Sequence, residues 1–525
     1  MKKITYFLLF AFSLQSCFND LGNYDYNPIA DITIDEVPES LGDLILFEDT
    51  IRISPIVGPQ TDVDAGNLNY HWSIKTGSGS AAKMVRFSDE KNLVLPVTQS
   101  GDIFLRFEVE NKETGIVSFV TTKAIGTSKM SNGIYLLKET ADGNTDVDMI
   151  GFDSQTGEAT TYPDLATVLL GDHLEGGPVT IDYWGYRIED YENAQLVAVP
   201  AIRFASQKDL VVVNTDKFEV LGRFDDMFLG DAPQVRNIQA LKSISRNTML
   251  INDGKVYCFT NYYIAMVNSV SKEYGGNRFF PAMVGDYYMD SHISWGVKDA
   301  AANFLTYDQK SGLFRNILNS SSVPKAVKEY PNQTAFASDL KSNLLFLEST
   351  ASGAYAYNQY ALMQKKSYPD SLMLIDMNAQ NLENSYLIQN KRDVLMASDY
   401  QIDNASLWCV HQHRKLIFFA VGNKLYKYDT TAKTEVLVMT LPSEITFIDC
   451  VNEWYTVGDG VINKLEYTKF VLATASGSNY QLYKFNMNGD VPEQEPYFTT
   501  TGSGRIKDYV YIKPTATPIW MRTIN

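Results

Sequence analysis

The chain has 525 residues, 45% hydrophobic and 20% charged. It is therefore globular and long enough for at least two cores. Its formal net charge of −17 excludes the basic footprint that nucleic acid or an anionic lipid surface requires. Its four cysteines exclude a disulfide framework, while 32 tyrosines and 27 phenylalanines suit pleated sheet.

The first element is a leader. Lys2 and Lys3 precede an apolar run over residues 4–14, and Leu14-Gln15-Ser16-Cys17 follows with a small residue directly before the cysteine. This reads as a bacterial lipoprotein signal, residues 1–16, with Cys17 as the lipidated residue. Eleven residues rise about 16 Å as a helix, roughly half of the hydrocarbon core, so the segment is expected to be cleaved rather than to span. Loss of the two lysines takes the charge from −17 to −19. Two acyl chains on Cys17 would anchor the protein without help from charge. With Cys17 lipidated, Cys258, Cys409 and Cys450 allow one disulfide at most.

Residues 17–29 have no periodicity and read as a flexible tether. From 30 to 126 the pattern is that of half-buried strands. Leu68, Tyr70, Trp72 and Ile74 share one face, and Ile103, Leu105, Phe107 and Val109 share another. His71 lies on the polar side and reads as solvated. The run Asn111-Lys112-Glu113-Thr114-Gly115 supplies a hairpin turn. Together these predict a small immunoglobulin-like β-sandwich without the inter-sheet disulfide.

A small-residue linker, 126–133, leads into the remainder. There an apolar strand repeatedly ends in Asp or Asn followed by a polar turn, at Asp153, Asn214, Asp308, Asp376, Asp429 and Asn486. The gaps are 61, 94, 68, 53 and 57 residues, and the longest holds a further hairpin turn at Asn252-Asp253-Gly254. Strand-rich units of about 55 residues are what a β-propeller needs, so 127–525 is expected to form one of about seven blades. The best-formed unit predicts strands at 416–421, 424–428 and 435–440. The terminal run 519–524 could close the ring against the first blade. The fold class is thus all-β, a sandwich followed by a propeller.

The N-terminal residues carry a family likeness. Cys17-Phe18-Asn19-Asp20-Leu21-Gly22-Asn23-Tyr24-Asp25-Tyr26, the strand over 32–37, Tyr70-His71-Trp72 and Leu105-Arg106-Phe107-Glu108-Val109 resemble the PKD-like lipoproteins of Bacteroidota. Trp72 leads into Ser73-Ile74-Lys75-Thr76-Gly77 rather than a Gly-Asp-Gly turn, so the likeness is one of fold. The resemblance implies an outer-membrane lipoprotein facing the cell exterior. Its implied role is accessory to a SusC/SusD-type TonB-dependent importer and other surface lipoproteins, with a peptide or glycan as ligand.

Residue patterns add little chemistry. No His-Glu-x-x-His, P-loop, Gly-x-Ser-x-Gly or paired Cys-x-x-Cys motif is present. Cys409, His411 and His413 alternate along one strand, a spacing better suited to two metal ligands than three, and read as an ordinary blade strand. Asp142, Asp146 and Asp148, and Asn486, Asn488 and Asp490, lack the EF-hand pattern, although a structural calcium at such turns is compatible with them. No cofactor is expected. Aromatic groups are the candidates for a ligand or partner surface: Tyr183, Trp184 and Tyr186; Tyr287, Tyr288 and Trp295 beside Phe279 and Phe280; and Tyr355, Tyr357 and Tyr360. All three groups fall between predicted strands, and packing between blades is the commoner fate of such rings. The expected function is non-catalytic binding. The alternatives are a propeller glycosidase or lyase with carboxylates meeting at the central funnel, and a structural adhesin.

Overall fold

The structure, a computed structural model, describes residues 32–512 apart from internal stretches, the longest being 261–277 and 452–468. The leader, Cys17, the tether, Tyr355, Tyr357 and the run 519–524 lie outside the described residues. The chain divides into two compact units, Met1–Gly126 and Thr127–Asn525.

In the first unit a five-stranded sheet runs in the order Ser40–Ile45, Val117–Thr127, Gly101–Asn111, Leu68–Thr76, Lys83–Ser88. Two short pairs, Ile32–Asp35 with Ile56–Pro59 and Thr50–Ile53 with Leu93–Pro96, bury Ile32, Ile51, Ile53 and Leu93 in the same core. The alternation seen in sequence sets the register: Trp72 stands opposite Phe107, with ring centroids 4.7 Å apart, and both are fully buried. The Trp72 indole N–H donates to the Lys91 carbonyl, 3.3 Å away. At the hairpin, Asn111 Oδ1 accepts from the Glu113 and Thr114 amides. The expected linker is shorter than its composition suggests. The preceding strand continues to Thr127, a 3-10 turn spans Lys129–Ser131, and the next strand begins at Gly133.

The second unit is a seven-bladed β-propeller of antiparallel sheets. Blade 1 holds Gly133–Glu139, Thr145–Phe152 and Ala159–Tyr162, completed by Arg505–Ile512 from the far end of the chain. Blade 2 holds Pro178–Asp190, Gln195–Ser206, Leu210–Asn214 and Glu219–Arg223; blade 3, Ile238–Ile244, Asn247–Asn252 and Lys255–Thr260. Blade 4 holds Ser294–Lys298, Ala301–Asp308, Leu313–Ile317 and Lys325–Ala326; blade 5, Ser342–Ser349, Asn358–Lys365, Ser371–Asn378 and Tyr386–Met396. Blade 6 holds Leu407–Val410, Leu416–Val421, Lys424–Asp429 and Thr434–Thr440; blade 7, Glu444–Val451, Lys469–Ser476, Asn479–Asn488 and Phe498–Ser503.

Seven separate buried clusters fill the spaces between neighbouring blades, and the seventh joins blade 7 to blade 1. This is why middle strands such as Leu416–Val421 read as unbroken apolar runs: both faces of the sheet are covered. The innermost strands meet around the axis. Pro178–Asp190 touches Arg505–Ile512 and Ile238–Ile244, and Glu444–Val451 touches Leu407–Val410 and Arg505–Ile512.

Ring closure is therefore made by Arg505–Ile512, upstream of the terminal run that sequence suggested. Gly504 makes the crossing from blade 7 with φ +99°, and a Cβ there would lie 2.7 Å from the Glu139 carbonyl oxygen. The Asp/Asn motif has a local cause. Asp429 Oδ1 accepts from the Thr431 and Ala432 amides, and Asn214 Oδ1 accepts from the Asp216 and Lys217 amides, so each side chain builds the turn out of its strand.

Candidate functional site

Charged groups gather on the innermost strands. Asp449 lies on the first strand of blade 7, Asp508 on the closing strand of blade 1 and Lys242 on the first strand of blade 3. Burial pushes the Asp449 carboxyl up to about 6; the negative Asp508 adds to the rise and Lys242 opposes it. Burial also raises Asp508, against the pull of its hydrogen bonds. Its Oδ2 accepts from the Thr180 hydroxyl and the Ile181 amide, each at 2.9 Å. Nearby, Arg203 grips Asp182 with two bonds of 2.9 and 2.6 Å.

The seam between blades 1 and 7 contains a buried ionic group. Lys138 Nζ lies 2.5 Å from Asp148 and 2.8 Å from Asp164, and the Tyr480 hydroxyl donates to the other Asp148 oxygen at 2.8 Å. Burial pushes the Asp148 carboxyl up in spite of Lys138. Asp146 accepts from the Val147 and Ala166 amides and the Thr167 hydroxyl, so these carboxylates are occupied by protein donors. Asp142 is exposed and accepts from Thr140 and Asn144.

Cys409, His411 and His413 do not form a ligand set. Cys409 is buried with Cys450 in the core between blades 6 and 7, and burial pushes both thiols up. The His411 ring donates through Nε2 to the Gly489 carbonyl and accepts at Nδ1 from the His413 amide, both at 3.1 Å. Among the described residues no group of three His, Cys, Asp or Glu side chains is placed to hold a metal.

Tyr183, Trp184, Tyr186, Trp295 and Tyr360 lie on blade strands, whereas Phe279, Phe280, Tyr287 and Tyr288 lie in the link between blades 3 and 4, as expected. Tyr183, Trp184 and Tyr186 sit on Pro178–Asp190, with Tyr183 partly buried in the core between blades 1 and 2. Trp295 is on Ser294–Lys298 and packs beside the buried Tyr287 between blades 3 and 4. The Tyr287 hydroxyl donates to the Met283 carbonyl at 2.6 Å, and burial pushes it up to about 12. Tyr288 is 37% exposed, its ring lying over Gly254. Phe279 is buried, Phe280 is partly exposed, and Tyr360 is buried in blade 5.

Sequence reasoning passed over a cavity of about 450 Å³ at the end of blade 7, within the size range of small-molecule sites. Thr474, Gln481 and Thr501 stand opposite one another on three adjacent strands. Ser476 pairs with Asn479 at the hairpin end, and Ser443 comes from the link that enters from blade 6. Thr474 is only 2% exposed. Among the described residues none of these six side chains has a hydrogen-bond partner. Tyr480 and Gly502 complete the wall, the ring lying so close over Gly502 that a Cβ there would be 2.5 Å from it. The available signal was compositional: Ser476-Gly477-Ser478-Asn479 and Thr499-Thr500-Thr501-Gly502-Ser503 are hydroxyl-rich runs.

Fold and site together describe a β-sandwich unit and a propeller unit with a polar pocket at the end of blade 7. The model of the PKD-like family matches residues 17–178, so the chain carries a PKD-like family domain over that region. Among solved structures, it is similar to a quinonprotein alcohol dehydrogenase-like protein from Bacteroides thetaiotaomicron at 10% identity and a TM-score of 0.37, covering 92% of this chain and 99% of that one. A chain of the mitotic checkpoint complex matches at 10% identity and a TM-score of 0.32, covering 63% of this chain and 92% of the other. No curated protein sequence matches significantly. Among the described residues no helix is long and apolar enough to cross a membrane.

Proposed function

We propose that the protein is a lipid-anchored, non-catalytic binding subunit on the outer surface of the outer membrane, serving a SusC/SusD-type nutrient importer. The observation that carries the binding role is the blade 7 cavity. Its wall offers hydroxyls and amides, most of them open to solvent, and among the described residues no histidine, lysine or carboxylate lines it to activate a nucleophile or shuttle a proton. The family match begins at residue 17, the proposed lipid acceptor, which supports removal of residues 1–16. Lipid at Cys17 would hold the propeller at the membrane with no need of a spanning element.

The test is recovery of the lipidated protein from solubilised outer membranes. Co-purification with an importer supports the reading, and resistance to protease on intact cells would move the protein to the inner leaflet and defeat it. An enzymatic reading is favoured by one observation, the pairing of Asp449 and Asp508 near Lys242, because a carboxyl raised to about 6 is in range for acid–base chemistry. Turnover of a polysaccharide that is lost in Asp449→Asn would establish that reading instead.

A further inference from the structure

We infer that Cys409 and Cys450 are a disulfide site that joins blades 6 and 7, an assignment that rests on the address proposed above only for its oxidising surroundings. Cys409 lies on Leu407–Val410 and Cys450 on Glu444–Val451, the innermost strands of the two blades, which lie against each other. Alternation turns both side chains into the same seam. Cys409 and Cys450 belong to the core between blades 6 and 7, whereas their neighbours Val410 and Val451 belong to the cores on either side of it. The second strands fix the level. Cys409 stands opposite Phe418 and Cys450 opposite Phe470, and those two rings meet across the seam with centroids 5.1 Å apart. The two thiols therefore stand at the same height, and they touch as hydrogen-bond partners.

A buried cysteine commonly serves as a small apolar side chain, and Cys258 does so in the core between blades 3 and 4, where no second cysteine joins it among the described residues. The pair at 409 and 450 differs because each sulfur faces the other from strands 41 positions apart in sequence. An external disulfide supplies the oxidation. One protein thiolate attacks it and expels a thiolate, and the second protein thiolate then displaces the other half, so two thiols become one S–S bond while the external disulfide is reduced to two thiols that take up the two protons. Burial sets the timing. Cys409 is 2% and Cys450 5% exposed, and burial pushes both thiols up, so the packed chain presents no thiolate for exchange. The bond forms while blade 7 docks on blade 6, and the same burial then shields it from reductants. It pins the inner strand of blade 7 on one side, while Asp449, one residue earlier, meets Asp508 of blade 1 on the other.

Peptide mass mapping tests the assignment on the mature protein, taken from cells into detergent with free thiols alkylated at once. Two peptides joined through Cys409 and Cys450 are expected, with Cys258 alkylated, and reduction should part them. The same protein, reduced, unfolded and refolded with oxidised glutathione, should regain that bridge and form none to Cys258. Melting reads the consequence. The oxidised chain should melt about 5 °C above the reduced chain, and Cys450→Ala should melt at one temperature in both conditions. The assignment is overturned if refolding joins Cys258 to either residue in preference, if it leaves Cys409 and Cys450 separately alkylated, or if Cys450→Ala keeps the full redox difference in Tm. The address fails separately. A chain that forms the bridge on refolding yet leaves cells with both thiols free keeps the site and counts against an oxidising compartment. A chain shaved by protease from intact cells that forms the bridge in neither experiment keeps the address and loses the site.

Discussion

The two faces of blade 7 treat polar groups in opposite ways. Toward blade 1, Val471, Ala473, Tyr480 and Leu482 pack against Ile134, Leu136 and Ile150, and the buried polar atoms there form a connected set, Tyr480 to Asp148 to Lys138. Toward blade 6, the alternation that places Phe470 and Leu472 in the core continues into Thr474, and the apolar contact gives way to the cavity and its polar side chains. The first arrangement holds the ring shut, because blade 1 is built from both ends of the chain. In the second, Thr474 is buried at the edge of the core, while Ser476, Asn479, Gln481 and Thr501 are exposed to solvent. Burial thus separates polar groups that must be paired within the protein from polar groups that solvent can satisfy.

The sharpest way to break this contrast is Lys138→Met, which leaves Asp148 buried and uncompensated. A loss of about 3–5 kcal/mol is expected by chemical denaturation, and the double change Lys138→Met with Asp148→Leu should recover most of it. A single change as mild as a surface substitution would show that the seam is not the closure. Next in size, Tyr480→Phe removes a hydrogen bond to a charged carboxylate and should cost about 2 kcal/mol, with no change in the Tm difference when salt is added.

The inner edge of the same blade gives a pH-dependent version. Folding raises Asp449 from the usual carboxylate range to about 6, so between about pH 4 and 6 the folded chain keeps a proton that the unfolded chain has lost. Stability conferred on wild type relative to Asp449→Asn should therefore fall as pH rises through that window and level off above it. The expected change is on the order of 1 kcal/mol once the partial exposure of the group is allowed for. A difference between the two proteins that is flat from pH 4 to 7 would contradict it. The smallest effect belongs to the open face. Thr474→Val exchanges an unpaired hydroxyl for a methyl and should shift stability by no more than about 0.5 kcal/mol, in either direction. A loss of several kcal/mol would mean that Thr474 serves the fold, and would remove the basis for the contrast.

Much of the architecture was legible in sequence because its causes are local. Alternation set Trp72 against Phe107, Asx turns at Asn214 and Asp429 marked strand ends, and the strands of blade 6 lie within a few residues of their predicted bounds. These rules act through neighbours in the chain or across one hairpin, where side-chain period and turn chemistry suffice. Packing between blades was the expected fate of such rings, and Tyr287 follows it, but which blades it joins and that Tyr183 sits on an inner strand were not legible, since both depend on the blade packed against the ring.

What only the tertiary structure decided comes from residues far apart in sequence. The closing strand pairs residues 133–139 with residues 505–512, Lys138 reaches Ser503 across 365 positions, and Tyr480 reaches Asp148 across 332. No periodicity encodes that Arg505–Ile512 completes blade 1, because its partner strand lies more than 360 positions away and only the closed ring brings the two together. The cavity is of the same kind. It is a space bounded by a link, two adjacent strands and an outer strand, which only the folded blade brings together.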